Sequence, residues 1–170
     1  PVIGRAAAEA AAEIPRGEVL LERNRLLYEA LPASVAATIT LAAVLAVIQS
    51  DVVSDWYAAG WFVAISLLNL GRLFVARSYE QRGEDPEWAE FYDREFMWGG
   101  VAGGIGWGAA GLLLFPPDIV HQAFLGFVVA GVTAGSLGSL SPSFRALAWF
   151  LVLSLSPLAL RLGLTSDIVP

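Results

Sequence analysis

The chain has 170 residues, of which 56% are hydrophobic and 15% are charged, and its formal net charge is −6. Soluble globular domains carry about 25% charged residues, so this composition excludes an ordinary soluble domain. The negative net charge gives no indication of a nucleic-acid partner. The chain also contains no cysteine, which excludes disulfides and thiol chemistry.

The charged residues are segregated along the chain. Asp, Glu, Lys and Arg are absent from four long stretches, namely residues 31–48, 56–70, 96–115 and 119–140. Apolar helical segments of about 20 residues match the hydrocarbon layer of a bilayer, which is about 30 Å thick. The sequence therefore predicts an all-α, polytopic membrane helix bundle with the lipid bilayer as its first partner.

Before the first span, two different segments are predicted. Residues 1–17 are Ala-rich and have no apolar face, which is typical of a flexible lead. In EVLLERNRLLYEA, residues 18–30, Leu20, Leu21 and Leu27 recur at near-helical spacing among charged residues. This pattern predicts an amphipathic helix on the membrane surface that enters the bilayer near Pro32.

The membrane domain, residues 18–170, is predicted to contain five spans. Their expected bounds are about 31–49, 56–76, 96–115, 119–140 and 144–163. The polar segment 78–95 is predicted to be a loop with a short helix capped at Asp85-Pro86, whose aromatic residues turn to the membrane or a neighbour. Because TSDIVP at the end of the sequence reads as the start of a connection, we expect a sixth span after residue 170.

The arginines predict the orientation of the bundle. They occur in the N-terminal flank, in the 78–95 region and after the fourth span, whereas the connections 50–55 and 116–118 contain none. Loops rich in Lys and Arg stay in the cytoplasm. We therefore expect a multi-pass membrane protein with a cytoplasmic N-terminus.

Glycine is unusually dense in the third span, since seven of the residues from Gly99 to Gly111 are glycine. A dinucleotide-binding loop is a poor interpretation, because these glycines lie inside an apolar run with no strand before them. Small residues at helical spacing instead let two membrane helices approach closely. The residues assigned to this packing are Gly100, Gly104 and Gly108 in the third span and Gly131 and Gly135 in the fourth. Because the connection between these spans is short, we expect them to form a tight antiparallel hairpin.

Two pairs of polar residues are candidates for ligand binding. His121 and Gln122 lie at the outer end of the fourth span, where a histidine can respond to protons or a ligand, or be an inert interfacial residue. Asn69 and Arg72 lie near the inner end of the second span. They form either a polar pair that faces the bundle interior and binds a head group, or a snorkelling arginine beside a helix–helix hydrogen bond.

Two further residues stand out in the apolar spans. Trp107 is a bulky residue among glycines, so it either forms the wall of a lipid-sized pocket or fills the space that the glycines leave. Pro157 interrupts the fifth span and is a candidate hinge, although most such kinks are static packing features.

No set of residues indicates catalysis. The single histidine has no nucleophile beside it in the sequence, and no carboxylate lies within a span. The acidic residues of 78–95 are spaced like a solvated helix face rather than a metal site. We therefore expect this chain to be no enzyme and to bind no metal or cofactor.

The order of several segments resembles a known class of proteins. These segments are RLLYEALPASVAATI, NLGRLFVAR, FYDREFMWGGVAGGIGWGAAGLLLFPP and HQAFLGFVVAGVTAGSLGSLSPSFRALAWFLVLSLSPLALR. Over residues 20–165 the chain resembles the N-terminal multi-span sensor regions of bacterial signalling proteins, namely membrane-bound histidine kinases and diguanylate cyclases or phosphodiesterases. The resemblance implies a sensory input module in the bacterial inner membrane. Because no carboxylate lies within a span and the third and fourth spans are rich in glycine, we expect it to detect a lipophilic or membrane-borne signal. The resemblance also implies a kinase or cyclase output domain outside this chain, and a homodimer formed by the full-length protein.

Two other functions stay open at this point. A small transporter or channel subunit would need a polar path through the bundle, for which few residues are available. An assembly subunit of a membrane complex would use its glycine stripes to bind partner helices.

Overall fold

The computed structural model describes residues 16–83 and 85–166. They form five long helices: α1 (Arg16–Gln49), α2 (Asp55–Arg82), α3 (Ala89–Leu113), α4 (Ile119–Leu140) and α5 (Phe144–Ser166). Each of the five contains a segment long and apolar enough to cross a membrane. The all-α membrane helix bundle is thus confirmed, while most of the predicted Ala-rich lead lies outside the described residues.

The helix α1 differs from its prediction, because it continues through Pro32 without a break. Residues 18–30 are helical as expected, but they do not form a separate helix on the membrane surface. The reason is that one face of this segment packs into the bundle, where Asn24, Leu27 and Leu31 are all buried. This packing outweighs the loss of one helix hydrogen bond at the proline.

The loop within the polar segment 78–95 is shorter than predicted, because most of the segment is helical. The helix α2 extends to Arg82, and α3 already begins at Ala89. Between them lies the 3₁₀ helix Pro86–Trp88, whose N-cap Asp85 accepts a hydrogen bond from the Glu87 backbone N–H at 3.0 Å. The predicted cap at Asp85-Pro86 is therefore confirmed.

The helices run alternately up and down. We call the end where α1 begins, α2 meets α3 and α4 meets α5 the arginine-rich end, after Arg23, Arg25, Arg77, Arg82, Arg94 and Arg145. The other end is called the opposite end. In this arrangement α3 and α5 run in the same direction, and they share the most extensive helix–helix contact of the bundle.

The glycine face of α3 packs on α5 and not on α4. Going along α3, Gly100 faces Ala146, Gly104 faces Phe150, Gly108 faces Leu153, and Gly111 faces Leu158. A Cβ added at Gly104 would lie 3.0 Å from both the Cα and the carbonyl oxygen of Phe150. The predicted tight hairpin of the third and fourth spans is therefore wrong, although the glycines do permit a close helix–helix approach.

The glycines of α4 are not packing residues. A Cβ added at Gly131 or Gly135 would have no neighbour within 4 Å, and both residues are exposed. Their assignment to packing against the third span is wrong because α5, rather than α4, occupies the surface that the α3 glycines offer. These two glycines instead border a cavity, which is described below.

Pro157 contributes to the contact between α3 and α5. Because proline has no N–H, the carbonyl group of Leu153, four residues earlier, lacks its helical donor. That carbonyl oxygen lies against Gly108, and the proline ring is packed beside it. Pro157 is thus a packed residue inside α5, and its role as a hinge stays a prediction.

Two buried amides fasten α1 to the two ends of α3. Near the arginine-rich end, Asn24 Nδ2 donates to the Ala89 carbonyl oxygen at 2.8 Å. At the opposite end, Gln49 Nε2 donates to the Leu114 carbonyl oxygen at 3.1 Å. Both amide side chains are fully buried. The bond from Gln49 satisfies a carbonyl group that the end of α3 leaves without a helical donor. Together the two bonds fix the register of α1 against α3.

Candidate functional site

A cavity of about 360 Å³ lies inside the bundle, and all five helices contribute to its lining. We call it the groove. Its inner wall contains Asn69, Arg72, Gly103 and Trp107. The outer walls consist mainly of small residues, with Ala30, Ala33, Ser34, Ala37 and Thr38 on α1 and Gly131, Gly135, Ser136, Gly138 and Ser139 on α4. The volume is within the range of small-molecule sites.

The groove has a buried floor and a lateral mouth. On the floor, Asn69 is 2% exposed and Trp107 is 1% exposed. At the mouth, Ala37 of α1 and Gly131 and Gly135 of α4 are exposed. These mouth residues lie well inside helices of membrane-spanning length. The groove therefore opens sideways between α1 and α4, toward the lipid.

The groove also has a direction along the bundle axis. Arg72 lies beside Gly99 and Ile65 lies beside Gly106, so Arg72 is nearer the arginine-rich end. Trp107 follows Gly106 on α3 and lies nearer the opposite end. The α1 wall from Ala30 to Leu41 is roughly 16 Å long at the helical rise of 1.5 Å per residue. A charged end and an apolar end are thus separated along one groove.

The side chain of Arg72 lies against α3 at Gly99, where the helix has no side chain in its way. A Cβ added at Gly99 would lie 3.0 Å from Arg72 Nε and 3.4 Å from Cδ, so the arginine stem crosses α3 where that helix has no side chain. The guanidinium carbon is 5.7 Å from the centroid of the Phe96 ring. A cation within a membrane bundle is costly unless it is paired or hydrated.

Arg72 has no carboxylate partner among the residues that the structure describes. The ion pairs there join other residues, and Arg72 is in none of them. Glu95 borders a neighbouring cavity that Arg72 also borders, yet the two side chains are more than 4.0 Å apart. Arg72, which borders the groove, therefore makes no ion pair with a described carboxylate.

Asn69 leaves one hydrogen-bonding atom without a partner. Its Nδ2 donates to the Ile65 carbonyl oxygen at 2.8 Å, and because that oxygen can only accept, the amide orientation is fixed. The Asn69 Oδ1 atom is buried and has no partner among the described residues. A buried acceptor left in this state costs about 1–3 kcal/mol. Asn24 Oδ1 and Gln49 Oε1, which border none of the described cavities, are in the same state.

The serine and threonine residues of the two outer walls differ in their hydrogen bonding. On α4, Ser136 Oγ donates to the Thr133 carbonyl oxygen at 2.6 Å, within its own helix. On α1, the hydroxyl groups of Ser34 and Thr38 make no hydrogen bond to a described residue, whereas Thr40 donates to the Ala36 carbonyl oxygen at 2.9 Å. The α1 wall therefore offers two free hydroxyl groups, one helical turn apart.

Trp107 closes the apolar end of the groove. Its ring packs against Trp61 with the centroids 5.4 Å apart and an interplanar angle of 69°. Trp61 Nε1 in turn donates to the Gly106 carbonyl oxygen at 2.7 Å. Trp107 is thus fully buried and also borders the cavity, which agrees with its interpretation as a pocket wall.

The structure does not bring His121 and Gln122 to this groove. Instead, Gln122 Nε2 donates to the Pro116 carbonyl oxygen at 3.0 Å. The His121 backbone N–H donates to Asp118 Oδ1 at 3.0 Å, and its Nδ1 lies 2.8 Å from the same oxygen. The hydrogen bond with the His121 side chain, followed by the one from its backbone, lowers the pKa of Asp118. These contacts stabilise the first turn of α4. They give the side chains of His121 and Gln122 hydrogen-bond partners within the protein, so neither needs a ligand.

Of the five candidate ligand residues, the structure therefore groups three, namely Asn69, Arg72 and Trp107, and separates the two at the opposite end. Sequence reasoning missed the wall that α1 contributes. The signal was present in the spacing of Ala30, Ala33, Ser34, Ala37 and Thr38, which places small residues on one helix face.

Comparison with known proteins adds no family to this picture. No protein-family model, curated protein or solved structure matches the chain.

Proposed function

We propose that this chain is the transmembrane sensory input module of a bacterial signalling protein. It detects a lipophilic or membrane-borne signal and relays it to a cytoplasmic output domain outside this chain. The observation that supports this function is the groove, because its lateral mouth faces the lipid and its lining comes from all five helices. A signal molecule bound there contacts every span at once.

The packing around the groove suggests how binding would be relayed. The helices α3 and α5 pack closely along the α3 glycines, whereas α4 makes few contacts with α3. A molecule between α1 and α4 would therefore change the spacing of these two helices more readily than that of α3 and α5. Such a ligand shifts an equilibrium only if it binds one spacing better than the other.

The orientation and location belong to the same proposal. The arginine-rich end carries Arg23, Arg25, Arg77, Arg82, Arg94 and Arg145, and the positive-inside rule assigns such an end to the cytoplasm. We place the protein in the bacterial inner membrane with its N-terminus in the cytoplasm. The full-length protein would signal as a homodimer.

The test uses two leucine substitutions in α4 of the natural full-length protein. Gly131 borders the groove, whereas Gly126 borders none of the described cavities, and a Cβ at either position meets nothing within 4 Å. We expect Gly131→Leu to fill the groove and make the activity of the output domain insensitive to membrane-borne signals. Gly126→Leu should respond like the wild type. A normal response in Gly131→Leu would overturn the proposal.

One observation favours a second function, that of an assembly subunit. Gly131, Gly135 and Gly138 form an exposed stripe of small residues on α4, which is a surface that another helix could pack on. Residues 1–170 contain no cysteine, so a single Gly135→Cys substitution in a full-length protein freed of any other cysteine can be cross-linked without background. Efficient cross-linking in membranes to a polypeptide other than a second copy of this protein would favour assembly over ligand sensing.

A further inference from the structure

We infer that the groove binds a single-chain amphiphile whose head group is a singly charged anion, with the head at Arg72 and the chain directed toward Trp107. This inference rests on the proposed function, since it specifies the class of molecule that the input module would detect. It also concerns binding alone, so it can be tested apart from signalling.

The charge of the head group follows from Arg72. Arg72 borders both the groove and the neighbouring cavity, and it has no carboxylate within 4.0 Å among the described residues. Arginine binds carboxylate and phosphate groups through two parallel hydrogen bonds, and a site in a membrane strengthens such contacts. As Arg72 is the one charged residue in the groove lining, a monoanion is the matching charge.

The position of a hydrogen-bond donor in the ligand follows from Asn69. Asn69 lies three residues before Arg72, about one helical turn farther from the arginine-rich end, and its Oδ1 lacks a donor. This oxygen is covered in the structure, so a hydroxyl or amide N–H group placed a few atoms from the anionic group would satisfy it only after the Asn69 side chain turns toward the groove. Hydroxy fatty acids and N-acyl amino acids have this arrangement.

The chain of the ligand follows from the rest of the lining. Beyond Asn69 the groove is bounded by Leu41, Val132 and Trp107, which offer apolar surface. The small residues on both sides of the mouth, Ala33 and Ala37 on α1 and Gly131 and Gly135 on α4, leave a narrow lateral opening. A single acyl chain can enter from the bilayer by this route. An apolar helix packed on the same surface would leave Arg72 and Asn69 without partners, which argues against that occupant.

The experiment measures quenching of tryptophan fluorescence by brominated acyl chains. The whole protein is placed in bilayer discs of uncharged phospholipid and titrated with a brominated fatty acid or with its methyl ester. Trp107 is 1% exposed, so only a chain inside the groove should quench it, and Trp107→Phe identifies its signal. We expect saturable quenching by the acid and at least about tenfold weaker binding of the ester.

Variants separate the anion contact from general effects on the fold. In Arg72→Gln, the acid should bind about tenfold more weakly and no better than the ester. Glu95→Gln should bind the acid at least as well as the wild type, because Glu95 is not the partner of Arg72. Asn69→Leu should remove the preference for a hydroxy acid over the plain acid. Equal binding of acid and ester to the wild type would overturn the inference, as would a loss of binding in Glu95→Gln.

Two further comparisons identify the source of the ligand and show whether the proposed function and the proposed ligand stand or fail separately. Tighter binding of a single-chain phospholipid monoanion than of the fatty acid would assign the site to a membrane lipid, and the reverse order would assign it to a free acid. If no anion binds saturably while Gly131→Leu still abolishes signalling, the inference fails and the input function stands. If the acid binds but output never responds to it, the site stands and the input function fails.

Discussion

The backbone of Gly108 lies against the carbonyl oxygen of Leu153, and a Cβ at position 108 would overlap that oxygen. The obstacle is main chain, so it cannot rotate away as the end of a flexible side chain could. We expect Gly108→Ala to push α3 and α5 apart and to destabilise the bundle by about 1–3 kcal/mol, the usual cost of overpacking. Thermal unfolding of the purified protein in detergent measures this change.

The matched control is Gly126→Ala on α4. A Cβ at Gly126 meets no atom within 4 Å, and alanine is a better helix former than glycine by about 1 kcal/mol in water. This variant should be as stable as the wild type or more stable. Equal destabilisation by the two substitutions would contradict the packing of α3 on α5.

The hydrogen bond between Gln49 and Leu114 gives a second prediction. Leu114 is fully buried, so Gln49→Ala would leave its carbonyl oxygen without the donor at 3.1 Å. We expect a loss of about 1–3 kcal/mol, together with faster hydrogen exchange at the end of α3. Gln81→Ala, at an exposed position near the end of α2, should change neither quantity. If Gln49→Ala has the same stability and hydrogen exchange as the wild type, the hydrogen bond from Gln49 does not hold α1 against the end of α3.

The pH dependence of stability should report the N-cap of α4. Because the pKa of Asp118 is lowered, its ionised form stabilises the fold above the ordinary aspartate pKa of about 4. This contribution disappears as the pH falls through the lowered value. Asp118→Ala should therefore have a lower thermal midpoint than the wild type at neutral pH, and the two midpoints should converge in acid.

Asp118→Asn separates the cap from the charge. Asparagine is also a good N-cap residue, but it does not titrate. The variant should keep most of the stability at neutral pH and lack the acid-dependent loss due to Asp118. If the Asn variant behaves like the Ala variant at all pH values, the carboxylate itself, rather than the N-cap, is what α4 requires.

Much of the fold was predictable from the sequence, because lipid requires long apolar helices with polar connections. The bounds of α4 agree with the predicted 119–140, since Asp118 caps its start and the Ser-Pro-Ser turn follows its end. The length of α1 was not predictable in the same way. Its continuity through Pro32 depends on the burial of Leu27 and Leu31 against other helices, which the pattern of one helix does not reveal.

The partner of the glycine face could not be predicted, because a row of glycines indicates a close approach without identifying the approaching helix. The short connection after α3 favoured α4 and its own glycines. In the structure, the partner face on α5 includes large residues such as Phe150 and Leu153, which lie against the space that the glycines leave. A stripe of small residues on one helix can therefore pack against large residues on its partner helix.

The groove was predictable only in part. Asn69, Arg72 and Trp107 stood out because polar and bulky residues are unusual in an apolar, glycine-rich setting. Their convergence depends on the register of α2 against α3, where Arg72 passes Gly99 and Ile65 meets Gly106. That register is a property of the packed bundle. The sequence alone therefore indicated the three residues but not that they lie close together.

Native mass spectrometry detects directly whether the groove holds an amphiphile taken from the membrane. The wild type, Gly131→Leu and Gly126→Leu proteins are extracted from bacterial membranes under identical conditions and compared for bound molecules. We expect an anionic single-chain amphiphile to remain bound to the wild type and to Gly126→Leu but to be absent from Gly131→Leu. The same bound molecules in all three proteins, or none in the wild type, would contradict it.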